Sequence, residues 1–443
     1  MKKNLLATAL ILGGLMIGQS TGDCMSLSLV EAIQQALVNN PDVAITRLGE
    51  DMAQASLRQQ RGKNSFAWKV STSFGESNQD NNGWNSSNGN SISGSLPIFS
   101  GGVNQNNIKS SELDVDIAQM KTQRKGQTIQ LDVIKAYYDV LEAQKQVSVY
   151  QDSVDKYASH LNNVEQLYSA GSKAKIDVLR SQVELSDAQQ TLTKGQNEYT
   201  NNLSTLRNLM YMDQQEPLEL TDDFHYRNFS GDVNSCVAQA LNNRKELLID
   251  SITLQQKELA LKSAKAGYQP TVDLTLRAGW DKQLIPSGDN HEYSASIGAS
   301  WNIFDSGITA SKVTQAQLDL ESAKLTLNKD KSDIDMSLRK NYNSMREAEK
   351  RFNSTQQAVK EAEEDYFIAN EKYKSGEGIM LDIIDAQNAL ANARQNYISA
   401  QYDYARYKAA VESDMGLDIL PAAVSSVAET DANATATTAV SAS

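Results

Sequence analysis

The chain has 443 residues, with 55 acidic against 42 basic side chains and a formal net charge of −13 at pH 7. An acidic protein of this kind lacks the basic face that a nucleic-acid partner requires, so we expect no nucleic-acid partner. Only 6 Pro and 3 scattered His occur, which is typical of long uninterrupted helices and argues against a His-based metal or catalytic site.

The N-terminus has the pattern of a secretory signal peptide. Lys2 and Lys3 precede an apolar run from Leu5 to Ile17, and small residues follow up to Gly22. The run is too short to cross a bilayer as a helix, so we predict that residues 1–22 are removed. Cys24 leaves two interpretations open, lipidation at the mature N-terminus or a disulfide with Cys236, the second Cys of the chain.

The remainder of the chain is a tandem repeat. At a shift of 205 residues Ile98–Gly102 falls on Ile303–Gly307, and Tyr168–Gly171 falls on Tyr373–Gly376, with no gap between. A constant shift through a strand end, a helix and a turn is not expected from helical composition alone. We therefore predict a first repeat at 23–215, a second repeat at 216–416, and a disordered Ala/Ser/Thr-rich tail at 417–443.

Each repeat opens with a helical stretch and continues into a predicted strand hairpin, at about 67–99 and about 271–304. Apolar and polar residues alternate there with period two over 9 to 11 residues, as in Val272–Trp280 and Tyr293–Ile303, which is typical of transmembrane β-strands. Four strands cannot close a barrel, but three chains supply twelve and leave no open edge. We assign three aromatic residues to the interfacial girdles of this barrel, namely Trp68, Trp280 and Trp301.

A long helical hairpin follows each strand hairpin, at about 104–210 and about 307–414. Apolar residues recur at alternating steps of four and three, from Ile129 to Tyr168 and from Ile334 to Tyr373, which predicts coiled-coil packing over a helix of roughly 100 Å. Gly171 and Gly376 end these helices, because a left-handed residue allows the chain to turn back. Tyr168 and Tyr373 are predicted to pack in the coiled-coil seam next to these tip turns.

The order of these elements resembles the TolC-type outer-membrane factor (outer membrane efflux protein) family. Leu27–Pro41 is similar to the opening motif of that family, Pro97–Gly102 and Asn302–Gly307 to its strand-to-helix junctions, and Tyr-x-x-Gly followed by Asp-Val or Asp-Ile to its periplasmic tips. The resemblance implies a homotrimer with its barrel in outer-membrane lipid and a helical tunnel in the periplasm. It also implies two partners, a periplasmic adaptor protein and an inner-membrane transporter, either a proton-driven pump or an ABC exporter.

The tips are the natural place for a gate. Asp382 and Asp385 share one helix face, and three copies would form a ring of carboxylates of the kind that selects cations. The plainer alternative is that an Asp near a helix N-terminus is favoured by the helix dipole. In the first repeat Asp177 and Arg180 take the equivalent places. The resemblance implies an Arg where this chain has Gly378, so we expect Arg180 to replace it in the closed state.

The predicted fold is therefore mainly α with a transmembrane β part. Long antiparallel coiled-coil hairpins and four strands make up one protomer of a trimer, with a twelve-stranded barrel and an α-helical periplasmic tunnel. The predicted function is an outer-membrane exit duct of a tripartite efflux pump or a type I secretion system, without catalysis, cofactor or metal. The alternative is a periplasmic coiled-coil adaptor or scaffold, which would not need two strand hairpins. A secreted hydrolase is disfavoured because no nucleophile motif occurs, and the cargo stays open between drug, metal ion and protein.

Overall fold

The computed structural model describes residues 25–79, 83–285 and 288–417. The predicted signal peptide, Cys24 and the tail from residue 418 lie outside these ranges. The first half of the chain contains β1 (Met25–Leu27), α1 (Leu29–Asn39), α2 (Pro41–Lys63), β2 (Ala67–Gln79), β3 (Gly83–Phe99), α3 (Val103–Ser169) and α4 (Lys175–Met210). The second half contains β4 (Leu218–Leu220), α5 (Val233–Asn243), α6 (Lys245–Lys265), a 3₁₀ turn (Ala266–Tyr268), β5 (Thr271–Ile285), β6 (Gly288–Ser300), α7 (Ile308–Lys374) and α8 (Met380–Asp414).

The two short helices of the first repeat are separated by local capping chemistry. Ser28 and Glu31 form a capping box at the start of α1, which satisfies amide groups that the first turn leaves unpaired. Asn40 then ends α1 and caps α2, because its side chain accepts a hydrogen bond from the Asp42 amide and Pro41 occupies the first helical position. In the second repeat Asp232 caps the start of α5, whereas Arg244 between α5 and α6 makes no side-chain cap.

The two strand hairpins form one antiparallel sheet with the order β2-β3-β5-β6. The pairing of β3 with β5, with Gly94 opposite Leu276, joins the two repeats through strands that are far apart in sequence. The last strand, β6, ends at Ser300, three residues before the predicted Ile303. Trp301 lies just beyond it, and its indole N–H donates a hydrogen bond to the Tyr268 carbonyl at 3.0 Å, in place of a strand ladder.

The long helices pair as two hairpins, α3 with α4 and α7 with α8, and α3 also packs along α8. At this junction Arg406 of α8 lies 2.6 Å from Asp139 and 2.7 Å from Glu142, both on α3. Arg394 contacts Asp152 at 2.7 Å further along the same junction. The desolvation of partly buried charges offsets much of their attraction. These pairs therefore determine the register between the two hairpins more than they add to the stability of the fold.

A hydrophobic core lies where the short helices meet the middle of the long ones. The hydroxyl of Tyr137, a fully buried side chain of α3, donates a hydrogen bond to the Leu27 carbonyl at 3.0 Å, next to the parallel pair β1 and β4. The fold confirms the predicted class, long helical hairpins with a four-stranded β part, and adds the two-stranded sheet of β1 and β4, which was not predicted. Among the residues described, no helix has both the length and the unbroken apolar character needed to cross a membrane.

Candidate functional site

From the helical end to the level of Ala278 the sheet has one apolar and one polar face, as the period-two pattern predicts. Trp68, Val70 and Phe74 of β2 lie opposite Gly94, Ile92 and Asn88 of β3, and Leu276 and Ala278 continue the same face across β5. Lys69, Ser71 and Ser73 occupy the other face, since successive side chains of a strand point in opposite directions. The apolar face is uncovered in the single chain, with Phe74 67 % and Ile297 71 % exposed.

The three Trp residues predicted for the girdles all belong to this sheet or its immediate end. Trp68 is exposed at the start of β2, Trp280 lies further along β5, and Trp301 follows β6. Trp68 packs against Phe66 with ring centroids 4.9 Å apart, and Gly94 on the neighbouring strand leaves room for these rings because a Cβ there would collide with them. Their assignment to a membrane interface stays a prediction.

The two tip turns have the predicted backbone geometry. Gly171 and Gly376 have φ angles of 77° and 81°, in the left-handed region that favours Gly. In both turns an amide beyond the Gly bonds back to a carbonyl of the preceding helix, from Ser172 to Leu167 at 2.8 Å and from Glu377 to Lys372 at 2.9 Å. These bonds satisfy carbonyls that the helix end leaves open.

The tyrosines that precede the turns differ. Tyr373 is buried with 3 % exposure among side chains of both hairpins, including Val164 of α3 and Ile383 of α8. Tyr168, the equivalent residue of the first hairpin, is 45 % exposed. The predicted packing in the seam therefore holds within one chain for Tyr373 but not for Tyr168.

Two residues of the first hairpin complete the surroundings of Tyr373. The His160 ring lies 5.2 Å from the Tyr373 ring, and the Lys173 ammonium lies 4.5 Å above it. Burial and the neighbouring Lys173 charge lower the pKa of His160, while burial and then Asp177 raise the pKa of Tyr373. Within the described part of the chain, neither the Tyr373 hydroxyl nor His160 Nε2 has a hydrogen-bond partner, although both atoms are buried.

The acidic candidates of the second tip are open to solvent. Asp382 lies in the first turn of α8 and Asp385 one turn later, and both are exposed. In the first tip Asp177 accepts a hydrogen bond from the Ala174 amide at 3.3 Å, so this carboxylate caps α4. Near Asp385, burial raises the pKa of Glu184, with further contributions from Asp187 and Asp385. Negative charge therefore accumulates between α4 and α8 at this level.

Arg180 is exposed on α4, and within the described chain it forms no ion pair with Asp382 or Asp385. The predicted bridge is thus not made inside one chain, and it stays a prediction for contacts between copies. Gly378 packs closely in the second turn, because a Cβ there would lie 3.0 Å from the Tyr373 amide nitrogen and 3.1 Å from Lys372. An Arg at this position would crowd the backbone of the turn.

Sequence reasoning missed His160 and Lys173, because their role depends on a contact between two hairpins that are separated by some two hundred residues. Cys236 is buried on α5 and forms no disulfide within the described residues. Its predicted alternative partner Cys24 lies outside them, so the disulfide stays a prediction. Over the described part of the chain no cluster of three or more His, Cys, Asp or Glu is arranged to hold a metal ion.

Comparison with known proteins extends the likeness over the whole repeat region. A family model described as outer membrane efflux protein matches residues 32–210 and 236–417. The chain is 24% identical over 428 residues to the outer membrane protein TolC of Escherichia coli (strain K12), which covers 91% of this chain and 85% of that relative.

Solved structures share the fold at lower identity. The outer membrane protein VceC of Vibrio cholerae superposes with a TM-score of 0.78 at 18% identity, over 88% of this chain and 97% of that one. The CmeC outer membrane channel of Campylobacter jejuni gives a TM-score of 0.81 at 15% identity, over 97% of this chain and 96% of that one. These solved structures therefore share the fold of this chain in both the strand hairpins and the helical hairpins.

Proposed function

The chain belongs to the outer membrane efflux protein family, and we propose that it works as a homotrimer whose three sheets close into one twelve-stranded barrel. As a member of this family it is an outer-membrane protein that serves as an exit duct in efflux or type I secretion. Beyond this role, we propose the number of copies, the partner proteins and the position of the gate.

The uncovered apolar face of the sheet is the main observation that supports the proposed trimer. The four strands end in two unpaired edges, β2 and β6, and an open edge facing lipid leaves backbone groups without hydrogen-bond partners. Joining β6 of one copy to β2 of the next removes both edges and turns the apolar face outward. The helical part also has uncovered apolar side chains that a neighbouring copy would bury, among them Leu179 and Val183 on α4 and Leu325 and Phe367 on α7.

The long helices continue this barrel as a tunnel. With 67 residues each, α3 and α7 reach roughly 100 Å at ~1.5 Å per residue. A periplasmic adaptor protein and an inner-membrane transporter, either a proton-driven pump or an ABC exporter, would then deliver cargo to the tips. The adaptor alternative for this chain itself is less favoured, since it does not account for an amphipathic four-stranded sheet.

We place the gate of this duct at the tips. The exposed carboxylates of Asp382 and Asp385 lie one turn apart on α8, so three copies would bring six of them around one axis. Arg180 has no partner among the acidic gate residues of its own chain, which leaves it available to the second hairpin of a neighbouring copy. Asp177 is assigned a supporting role, because it caps α4 and so positions the turn that precedes Arg180.

A pair of substitutions on adjacent residues tests the assembly. Val70→Lys places a charge on the apolar face of β2, opposite Ile92, whereas Ser71→Lys places it on the polar face. A Lys facing lipid near the bilayer midplane costs about 2–4 kcal/mol, and one facing the lumen costs far less. Cross-linking of detergent-extracted outer membranes should give trimers for the wild type and for Ser71→Lys, and far fewer for Val70→Lys. A wild-type protein that is a monodisperse monomer without detergent would refute the proposal.

A further inference from the structure

The polar face of the sheet contains a row of cations and hydroxyls that the duct function does not by itself require. Lys69 of β2 lies opposite Ser93 of β3, Ser93 opposite Arg277 of β5, and Arg277 opposite Ser294 of β6. These four residues therefore stand side by side across all four strands, at one level along the sheet. We refer to Lys69, Ser93, Arg277 and Ser294 as the basic row.

We propose that the basic row is a binding site for multivalent oxyanions in the lumen of the barrel. The proposal rests on the trimeric barrel proposed above, which turns the polar face inward. Three copies would then place six cations and six hydroxyls on one circumference, in a protein whose charge is otherwise strongly acidic.

The spacing of the row suits an oxyanion. Lys69 and Arg277 flank β3, so their Cα atoms are about 9–10 Å apart, two strand spacings. Both side chains are long enough to converge over the Ser93 hydroxyl between them. A guanidinium fork, an ammonium and a hydroxyl all donate hydrogen bonds, and phosphate-like groups offer several acceptor oxygens and more than one negative charge.

The charges of the row are not consumed within the chain. Over the described residues neither Lys69 nor Arg277 forms an ion pair, and both side chains are exposed. On the same face the nearest carboxylate is Glu292, one row away opposite Gly279. If Glu292 pairs with one of the two cations, in its own chain or across the β6–β2 junction between copies, a net positive charge still remains at this level.

The neighbouring rows show that the cations are concentrated at this level. The row toward the helices contains only Ser95, Thr275 and Ser296 beside Ala67, and the acidic residues Asp273 and Asp281 lie two rows away on either side. A charged ring in a low-dielectric wall focuses the field on the solution that it encloses. An anion passing the sheet would therefore meet its strongest attraction at the basic row.

Inhibition of single-channel current by pyrophosphate tests the site. The purified protein is reconstituted in planar bilayers, and pyrophosphate is added in the absence of divalent cations. The double variant Lys69→Ser/Arg277→Ser is compared with the wild type. Lys282→Ser is the matched control, because Lys282 lies on β5 as well but on the opposite face, level with Asn88.

We expect the wild type to require about tenfold less pyrophosphate for half-inhibition than the double variant, the lower end of the range for electrostatic focusing of a counter-ion. The Lys282→Ser channel should match the wild type. Equal sensitivity of the wild type and the double variant would overturn the basic row while leaving the duct in place. If cross-linking found no trimers and no channel formed, the trimeric duct would be refuted, and the basic row with it.

Discussion

The two repeats follow the same order of helices and strands but differ at a few decisive side chains. Their longest helices both contain 67 residues, and both end at a left-handed Gly. Yet Tyr373 is buried against the other hairpin while Tyr168 is exposed, and Asp385 stands where the first repeat has Arg180. A duplicated backbone therefore makes the two hairpins equal in length, while single substitutions make their tips chemically unlike. Unlike tips give a ring of hairpins complementary surfaces between neighbours.

The largest expected effect concerns the buried tyrosine. Tyr373→Ala removes a ring enclosed by side chains such as Val164 and Ile383, and deleting a buried aromatic residue typically costs ~3–5 kcal/mol. Tyr168→Ala, the matched control in the first repeat, should stay within about 0.5 kcal/mol. Native-state hydrogen exchange of the amides in residues 373–384 measures this local free energy of opening.

A second substitution at Tyr373 separates the contribution of the ring from that of the hydroxyl. The hydroxyl is buried and has no hydrogen-bond partner among the described residues. Tyr373→Phe should therefore leave the local stability unchanged or raise it slightly, since no bond is lost and a desolvated polar group is removed. A cost for Tyr373→Phe as large as that for Tyr373→Ala would contradict the burial of the ring as the stabilising factor.

The second expected effect concerns the gate between unlike tips. Arg180→Ala should raise single-channel conductance, and Arg180→Asp should raise it further, because the Asp382 and Asp385 carboxylates would then repel without compensation. Each contact is partly solvated and weak, but three copies act together, so we expect a shift in the opening equilibrium of ~1–3 kcal/mol, or about 5- to 150-fold. Lys194→Ala, an exposed cation further along α4, is the control for loss of charge alone.

Exchanging the charges of Arg180 and Asp385 distinguishes a specific ion pair from a general electrostatic effect of the tips. Arg180→Asp combined with Asp385→Arg should restore part of the closed state. Asp382→Asn with Asp385→Asn should abolish block by divalent cations if these carboxylates face the pore. Conductance that stays unchanged in both Arg180 variants, with trimers intact, would exclude Arg180 as the lock.

The sequence predicts features that depend on neighbouring residues better than features that depend on contacts between distant segments. The strand faces and the tip turns follow from period-two alternation and from Gly171 and Gly376, which are signals within a few residues of the structure they determine. The pairing of β3 with β5 and the packing of His160 on Tyr373 join segments far apart in the chain, and no local pattern records which residue faces which. Trp301 left the predicted strand for a similar reason, because its indole bonds to Tyr268 on another segment.

The smallest expected effect uses a second contrast between the repeats, at the contact of the short and long helices. In the first repeat Lys125 of α3 pairs with Asp42 of α2 at 2.6 Å. At the corresponding place in the second repeat Asp330 of α7 faces Asp250 of α6, whose equivalent in the first repeat is Thr46. Burial, the neighbouring Asp330 and then Glu246 raise the pKa of Asp250 to about 6. Lys125 therefore attracts its neighbour on the short helix, whereas its equivalent in the second repeat, Asp330, repels the one that it meets.

The sign of the resulting pH dependence is determined by this raised pKa. The folded state holds the Asp250 proton more tightly than the unfolded state, whose pKa is near 3.8, so the free energy of unfolding falls as the pH rises from about 4 through about 6. The cations nearby have other partners or are shared, because Arg244 and Arg124 bind Glu246, and Lys329 bonds Asp333 at 2.6 Å while lying 3.7 Å from Asp330. Asp250→Asn should therefore stabilise the protein at pH 7 and have no effect near pH 4.

Restoring the first-repeat chemistry gives the sharper form of this prediction. Asp330→Lys places an opposite charge beside Asp250, as Lys125 is placed beside Asp42, and should also stabilise at pH 7. Because Asp250 is only partly buried, each substitution should contribute no more than ~0.2–1 kcal/mol. Thermal unfolding in detergent at pH 4.5 and pH 7 measures the difference, with the exposed Asp319→Asn on α7 as control. If Asp250→Asn and Asp319→Asn shift the melting temperature equally at pH 7, the repulsion between Asp250 and Asp330 does not distinguish the two repeats, and the contrast between them is confined to the tips.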